Sequence, residues 1–406
     1  LPGVVSGSEM KFSGSALGAA PISTRFLWQV NGQLVGETDV RAVGSGTYDV
    51  KGQESRVKYS VVAPPSATSV TMSLTYDRKG YSGANGYLNY LGLQVKRVLK
   101  SYDNQQVYRF FPSSEDHVTY QFQNSHADWM LWNIDDITKP SVITLSNGSV
   151  VLPKGKRMRT MIGFQASQAY IPDSWQTLRN QDIEKLDAPE LLIVTAPSWR
   201  DQAEQLAHFR RDHDGLDVEV VSTQEVYNAF SSGKAEVTAI RNFVKYIYDR
   251  KPGKLKYLLL FGDATFDYKN NLQNQIQSVR GNWVPVYESI ESLNPVYTYS
   301  SDDFYGFMGD EAGSWSESES GDHLMDIAVG RLPVKSAAEA QITVDKLIRY
   351  ASSPKAKGGW RNKIHFVADD GDGAIHQRDA DLLAKRTDRA FLSSRIFLDA
   401  YPQTLS

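Results

Sequence analysis

Residues 254–267, KLKYLLLFGDATFD, constrain this chain more than any other stretch. Tyr257–Phe261 is an unbroken apolar run closed by Gly262. So short a run, with no polar alternation, predicts a strand covered on both faces, as in a parallel sheet. Asp263 then falls just past the strand's C-terminal end. In an open α/β sheet that end is where ligands and reactive groups collect. Two further acidic groups follow apolar runs in the same half: Asp302-Asp303 after a Tyr-rich segment, and Asp369-Asp370 after residues 364–367.

The surrounding sequence agrees with an α/β layer. From residues 187–190 onward, strand and helix patterns alternate. Residues 191–195 and 218–221 read as strands, and 200–211 as a helix ended near Asp214-Gly215. Residues 235–249 carry apolar side chains at 237, 240, 243, 244, 247 and 248, the spacing of one buried helical stripe. Residues 326–329 read as a strand followed by Gly330-Arg331-Leu332-Pro333. Ser336 is placed to cap a helix running to about Tyr350. Residues 364–367 form a strand pattern, 375–393 a helix and 395–398 a last strand. The alternation predicts a parallel, doubly wound sheet with right-handed crossovers. Such a sheet should continue past Ser406, so the α/β domain is expected to be incomplete at its C-terminus, and the chain to be a piece of something longer.

The first half reads differently. Residues 56–63, 69–76, 87–98, 118–122, 142–145 and 149–152 are rich in β-branched and aromatic residues, partly in alternation. Clusters such as Pro64-Pro65-Ser66, Gly83-Ala84-Asn85-Gly86 and Ser146-Asn147-Gly148 separate them. Many short strands with turn signals predict a sandwich or jelly roll. At 129–136, WMLWNIDD, the pattern breaks. The segment either opens a second small β unit or crosses between sheets. The expected domains are residues 1–187, β-rich, and 188–406, α/β.

Composition removes several functions. The net charge is −3, with no basic excess to suggest a nucleic-acid partner. No apolar run approaches the roughly 18 residues of a membrane span. The start, LPGVVSGSEM, lacks the charged and apolar regions of a signal peptide. The 406 residues hold no cysteine, which excludes disulfides, thiolate metal sites and a thiol nucleophile within them.

The candidate chemistry is acidic. Asp263, Asp302, Asp303, Asp369, Asp370 and Asp372 recur at one expected sheet edge, where they could hold a cation, orient a base or meet a positive substrate group. Each is also an ordinary turn or helix-capping residue. A calcium ion is expected, if anywhere, at Asp302 and Asp303. Asp370-Gly371-Asp372-Gly373 resembles an EF-hand loop, but the template's first ligand position falls on Ala368. None of the seven histidines forms a zinc-peptidase pair, and His376 lies closest to the acidic edge. Neither a G-x-S-x-G elbow nor a glycine-rich phosphate loop occurs. The basic run at 153–159, PKGKRMR, reads as a solvated turn and strand face or as a contact for an acidic surface. Asn147-Gly148-Ser149 matches a glycosylation sequon, a short and weak signal.

Taken together, YLLLFGD at 257–263, SDDFYG at 301–306, DIAVGRLP at 326–333 and the helix following Ser336 resemble the gingipain family of cysteine endopeptidases in order and spacing. The β-rich half, with Asn85-Gly86-Tyr87-Leu88-Asn89-Tyr90, is similar to the PorU-type sortase branch of the type IX secretion system of Bacteroidetes. The resemblance implies a caspase-like α/β fold and a Cys/His dyad. It also implies an enzyme at the outer face of the outer membrane that removes C-terminal sorting domains from secreted cargo and attaches the cargo to the surface. The implied partners are those cargo proteins and outer-membrane secretion proteins, and no cofactor is required. Asp370 matches the acid that orients the catalytic His. The family's arginine-pocket Asp falls on Ala374, with Asp372 nearby as a substrate-binding residue, a departure from the family's basic-residue pocket that fits a sortase with a different cleavage preference. The Cys and His are expected beyond Ser406, leaving this chain inactive as cut. The alternative is a catalytically dead surface adhesin or scaffold. A receiver-like phosphoacceptor would need an Asp pair after the first strand, where Thr195-Ala196 stands.

Overall fold

The computed structural model describes residues 1–65, 69–112, 115–123, 128–175, 177–178, 180–267, 282–310 and 324–402. The chain divides into two units, Leu1–Arg179 with Ser289–Tyr299, and Asn180–Glu288 with Ser300–Ser406.

The first unit opens with β1 (Glu9–Ala19), β2 (Thr24–Val30), β3 (Gln33–Val40), β4 (Gln53–Val62), β5 (Met72–Asp77) and β6 (Asn85–Gln94). They make two antiparallel sheets, ordered β4-β1-β6 and β3-β2-β5. Phe12, Ala16, Phe26, Trp28 and Val40 fill the space between. The sequence pattern gives no strand before residue 56: β1 buries Met10 and Phe12 but from Gly14 onward meets the core with the small residues Gly14, Ala16 and Gly18. A Cβ on Gly14 would come within 2.7 Å of the Trp28 ring. Bulk there is supplied from the facing strand, so the second half of β1 lacks the apolar alternation that marks a strand.

The unit continues with β7 (Gln105–Phe110), β8 (His117–Gln121), β9 (Trp129–Asn133), β10 (Ser141–Ile143), β11 (Ser149–Pro153) and β12 (Arg159–Gln165). These form a sheet ordered β10-β9-β12-β7 and a pair β11-β8. Their core is separate: Tyr108, Phe110, Phe122, Leu131 and Met161 pack together. The pattern break at 129–136 is thus strand β9, interior to this second sheet.

The second unit holds β13 (Leu191–Thr195), α1 (Arg200–Asp214), β14 (Val218–Ser222), α2 (Thr223–Phe230), α3 (Val237–Arg250) and β15 (Tyr257–Phe261). There follow the two-residue strands β16 (Tyr287–Glu288) and β17 (Ser300–Ser301), then β18 (Ala328–Leu332), α4 (Ala337–Ser352), β19 (Lys363–Ala368), α5 (Gly371–Arg386) and β20 (Leu392–Phe397). Four strands form a parallel sheet ordered β14-β13-β15-β18. β15 lies inside it, as its apolar run requires. All of β13 is buried, and its side chains divide between two layers. Leu192 and Val194 pack with Val226, Ile240, Phe243 and Val244 of α2 and α3. Leu191 and Ile193 pack with Ala203 and Leu206 of α1 and Val344 of α4.

Several elements differ from the expected ones. β18 begins two residues later than the pattern at 326–329, because Ala328 is paired with Tyr257 and the strand runs on through Arg331. α2 is absent from the sequence reading. Its capping box, Ser222 with Glu225, starts a helix directly at the end of β14 with no intervening turn. α5 begins at Gly371 and ends at Arg386, so β20 starts three residues before its expected place. β19 and β20 pair in parallel as a separate two-stranded sheet.

Candidate functional site

The path from β13 to β14 runs outward, and the path from β14 to β15 returns past β13 to its other side. Strand order therefore reverses between β13 and β15, which opens a crevice at their C-terminal ends. Thr195 closes the floor of that edge, its Oγ1 donating to the Phe261 carbonyl at 3.2 Å. Pairing with β18 continues past β15: Gly262 N–H donates to Leu332 O and Asp263 N–H to Val334 O, both at 3.0 Å. Trp199 and Trp283 lie over Gly262, their ring centroids 4.7 Å apart. Gly262 has φ +154°, and a Cβ there would meet Val284 at 2.9 Å, the Trp199 indole at 3.1 Å and the Trp283 Cβ at 3.1 Å.

Arg331 organises this edge. Its Nε and Nη2 donate to the two oxygens of Asp302, each at 2.7 Å, in a fork-to-fork pair. Nη1 also donates to the carbonyls of Gly262 at 2.6 Å and Val284 at 2.7 Å, and Nη2 to Pro285 at 3.2 Å. The side chain is 12% exposed and that of Asp302 24%. One guanidinium thus collects the end of β15, the segment before β16 and the turn after β17.

The same turn is held from below. Tyr305 is fully buried, and its hydroxyl donates to Pro285 O at 2.6 Å. Burial pushes its phenol well above the usual value. Phe304 stacks on Tyr287 at 4.7 Å. Buried Arg241 donates to the carbonyls of Phe307 at 3.1 Å and Gly309 at 2.8 Å, and burial pulls its guanidinium below the usual value. The Ser-Asp-x-x-Tyr-Gly and Gly-Arg-Leu-Pro motifs are therefore two halves of one loop-fixing assembly. The pairing of Asp302 with Arg331 escaped the sequence reading. Its signal was an Arg placed in an apolar strand at the same edge as an Asp.

The acids expected at this edge separate into groups. Asp263 and Asp302 come to the end of β15, with Asp263 facing Lys335 at 3.4 Å. Asp302, expected with Asp303 at a calcium ion, instead gives both oxygens to Arg331. The Asp303 N–H donates to Ser301 Oγ at 3.1 Å. Among the described residues no group of three or more His, Asp or Glu side chains is placed to hold a metal ion. His126 and His323 lie outside the described residues.

Asp369, Asp370 and Asp372 belong to the turn between β19 and α5. Asp372, Gly373 and Ala374 all take left-handed conformations, with φ of 56°, 67° and 60°. The Ala374 N–H donates to Asp370 O at 3.1 Å, closing one left-handed turn before the right-handed helix. Asp372 faces His376 Nε2 at 3.5 Å, both well exposed. His365 and Ser394 meet across β19 and β20, Nδ1 to Oγ, at 2.5 Å.

The fold and this edge define a class: a β-rich region followed by a caspase-like α/β domain of the gingipain kind. Residues 184–406 match the family model described as Peptidase family C25. The chain belongs to Peptidase family C25. Among solved structures it is similar to dimeric latent PorU from Porphyromonas gingivalis, with a TM-score of 0.72 and 24% identity, over 89% of this chain and 35% of that one. It thus spans about a third of the solved PorU chain. Two gingipain structures from the same organism match less of it. The complex of RgpB pro- and mature domains covers 51% of this chain and 41% of that one, at 17% identity and a TM-score of 0.33. The Arg-specific gingipain R (RgpB) covers 53% and 42%, at 18% identity and a TM-score of 0.34. At those scores neither bears on the fold. No curated protein matches the sequence.

Proposed function

We propose that this chain is the leading part of a cysteine endopeptidase of the sortase kind. It would remove C-terminal sorting domains from secreted cargo at the cell surface and attach the cargo there. The observation that carries the reading is the joint one: the C25 match over 184–406, and likeness to the PorU fold over 89% of the chain, which takes in the β-rich unit as well. The 406 residues hold no cysteine, so in this reading the thiol nucleophile would be supplied by sequence outside them. A histidine there would take the thiol proton and return it to the leaving amine. Asp370, at the start of α5, would hold the imidazolium by a charge-assisted hydrogen bond. Asp372, exposed beside it, would contact substrate. The loop-fixing assembly around Arg331 has no part in bond breaking. It holds the sheet edge on which the dyad would be mounted.

The test compares this chain with the complete gene product on a cargo protein ending in its sorting domain. The complete product should cleave it, lose activity on alkylation with iodoacetamide, and slow at least tenfold with Asp370→Asn. The 406-residue chain should be inactive. Cleavage by the short chain, which has no thiol, would overturn the thiol mechanism. A complete product that binds surface components without cleaving would favour the scaffold reading.

A further inference from the structure

We propose that a groove in the β-rich unit binds an extended, acidic polypeptide segment by strand addition. The groove lies between the two β assemblies of that unit and has a volume of about 1120 Å³. Small-molecule pockets run to about 300–1,000 Å³, so this one suits a longer occupant.

Its charge is one-sided. Lys96, Arg97 and Arg109 line it, and no Asp or Glu does among the described residues. An adjoining hollow shares Phe111 and Tyr120 with it and adds Arg157 and Arg159. Those two arginines come from the basic run at 153–159, and Met158 of the same run lines the groove itself. The cations are mostly uncommitted. Arg97 donates to Pro2 O at 2.9 Å and sits over the Tyr102 ring. Lys96 and Arg109 are exposed and face no carboxylate among the described residues. A groove of one sign attracts a segment of the other.

Its backbone favours a polypeptide over other anions. β7 is the end strand of its sheet and β8 the end strand of its pair, and residues of both border the groove. Unpaired N–H and C=O groups along an end strand are a template for a further strand. β7 has six residues, which at about 3.3 Å each offers roughly 20 Å of edge. Val107 and Arg109 alternate outward from β7 while Tyr108 and Phe110 point into the core. An added strand would therefore lay one face beside the cation Arg109 and the other toward the side of Tyr108 and Phe110, which selects acidic and apolar residues in alternation.

The groove is also preformed. The connector from β6 to β7 is tied to both assemblies. On one side the Val98 N–H donates to Gly3 O at 2.8 Å and the Val5 N–H to Lys96 O at 2.9 Å. On the other the Gln123 N–H donates to Leu99 O at 2.7 Å, and Tyr108 OH to Lys100 O at 3.1 Å. Little ordering is left for binding to do.

The test uses the full 406-residue chain and fluorescein-labelled octapeptides, one alternating Glu with Val and one alternating Lys with Val, followed by anisotropy. The Glu-Val peptide should bind, weaken with salt, and weaken at least tenfold when alternate amides are N-methylated. Lys96→Glu with Arg109→Glu should lower its affinity at least tenfold and create affinity for the Lys-Val peptide. That gain cannot arise from misfolding. The proposal is overturned if the Glu-Val peptide does not bind at millimolar concentration, or if charge reversal leaves its affinity unchanged. It is equally overturned if N-methylation has no effect. Tighter binding of heparin or phosphatidylglycerol vesicles than of the peptide, lost on the same charge reversal, would also overturn it in favour of an anionic polymer or surface.

Discussion

Replacing Arg331 by Met removes the guanidinium that ties Asp302 to the carbonyls of Gly262, Val284 and Pro285. Hydrogen bonds to a charged group are worth about 1.5–3 kcal/mol each taken alone. Adding five such terms overcounts, because they share one group and one desolvation cost. A better bound is the cost of stranding one partner of a buried ion pair, about 3–5 kcal/mol. The pair is 12% and 24% exposed, and water reaches Asp302, so the lower end applies. We expect Arg331→Met to destabilise the α/β unit by about 3 kcal/mol. Urea unfolding followed by tryptophan fluorescence suits the measurement, since Trp199 and Trp283 stand over Gly262 at the same edge. In Asp302→Leu with Arg331→Met no charge is stranded. The double variant should be more stable than the sum of the single losses predicts, by about 2 kcal/mol. A loss under about 1 kcal/mol for Arg331→Met, or single losses that add within about 0.5 kcal/mol, would refute the clamp as the organiser of this edge.

Other perturbations report on neighbouring features. Gly262→Ala should cost about 2–3 kcal/mol in the same unfolding assay, because the new Cβ meets Val284, the Trp199 indole and the Trp283 Cβ at a φ that L-residues avoid. Ala374→Gly should raise stability by about 0.5–1 kcal/mol: the left-handed strain at φ 60° is relieved, less the entropy glycine adds to the unfolded chain. Burial pushes the Glu225 carboxyl up, but hydrogen bonds from Ser222 and the charge of Arg200 outweigh it and leave the group below its usual value. A depressed folded-state value stabilises fully above the unfolded value of about 4.3 and is lost as pH falls through the folded one. Thermal midpoints measured from pH 7 to pH 3 should therefore fall less steeply for Glu225→Gln than for the unaltered chain.

The sequence was legible where burial dictates composition. β13 and β15 lie between two helical layers, so their apolar runs could be read directly. α3 showed its stripe because one face meets that core and the other meets water. The second half of β1 was illegible for the opposite reason. At Gly14 and Ala16 the core is filled from Trp28 across the gap, and the strand's own residues carry little signal. β18 was misplaced because its register is set by pairing with β15, information that lies in another stretch of chain. At the site, an Asp after a strand was legible as something that matters. Its partner was not, since Asp302 and Arg331 are joined across an intervening segment whose length hides their contact.

The Asp302–Arg331 clamp bears on how relatives of this chain are recognised. Ser-Asp-x-x-Tyr-Gly and Gly-Arg-Leu-Pro identify the family by eye, yet the residues that make them conspicuous satisfy backbone carbonyls and one another. A descendant that lost its nucleophile would still need every one of those bonds to keep its sheet edge in order. The motifs would survive in it unchanged. They certify an intact frame, and whether a given frame still carries a working protease must be decided from other residues.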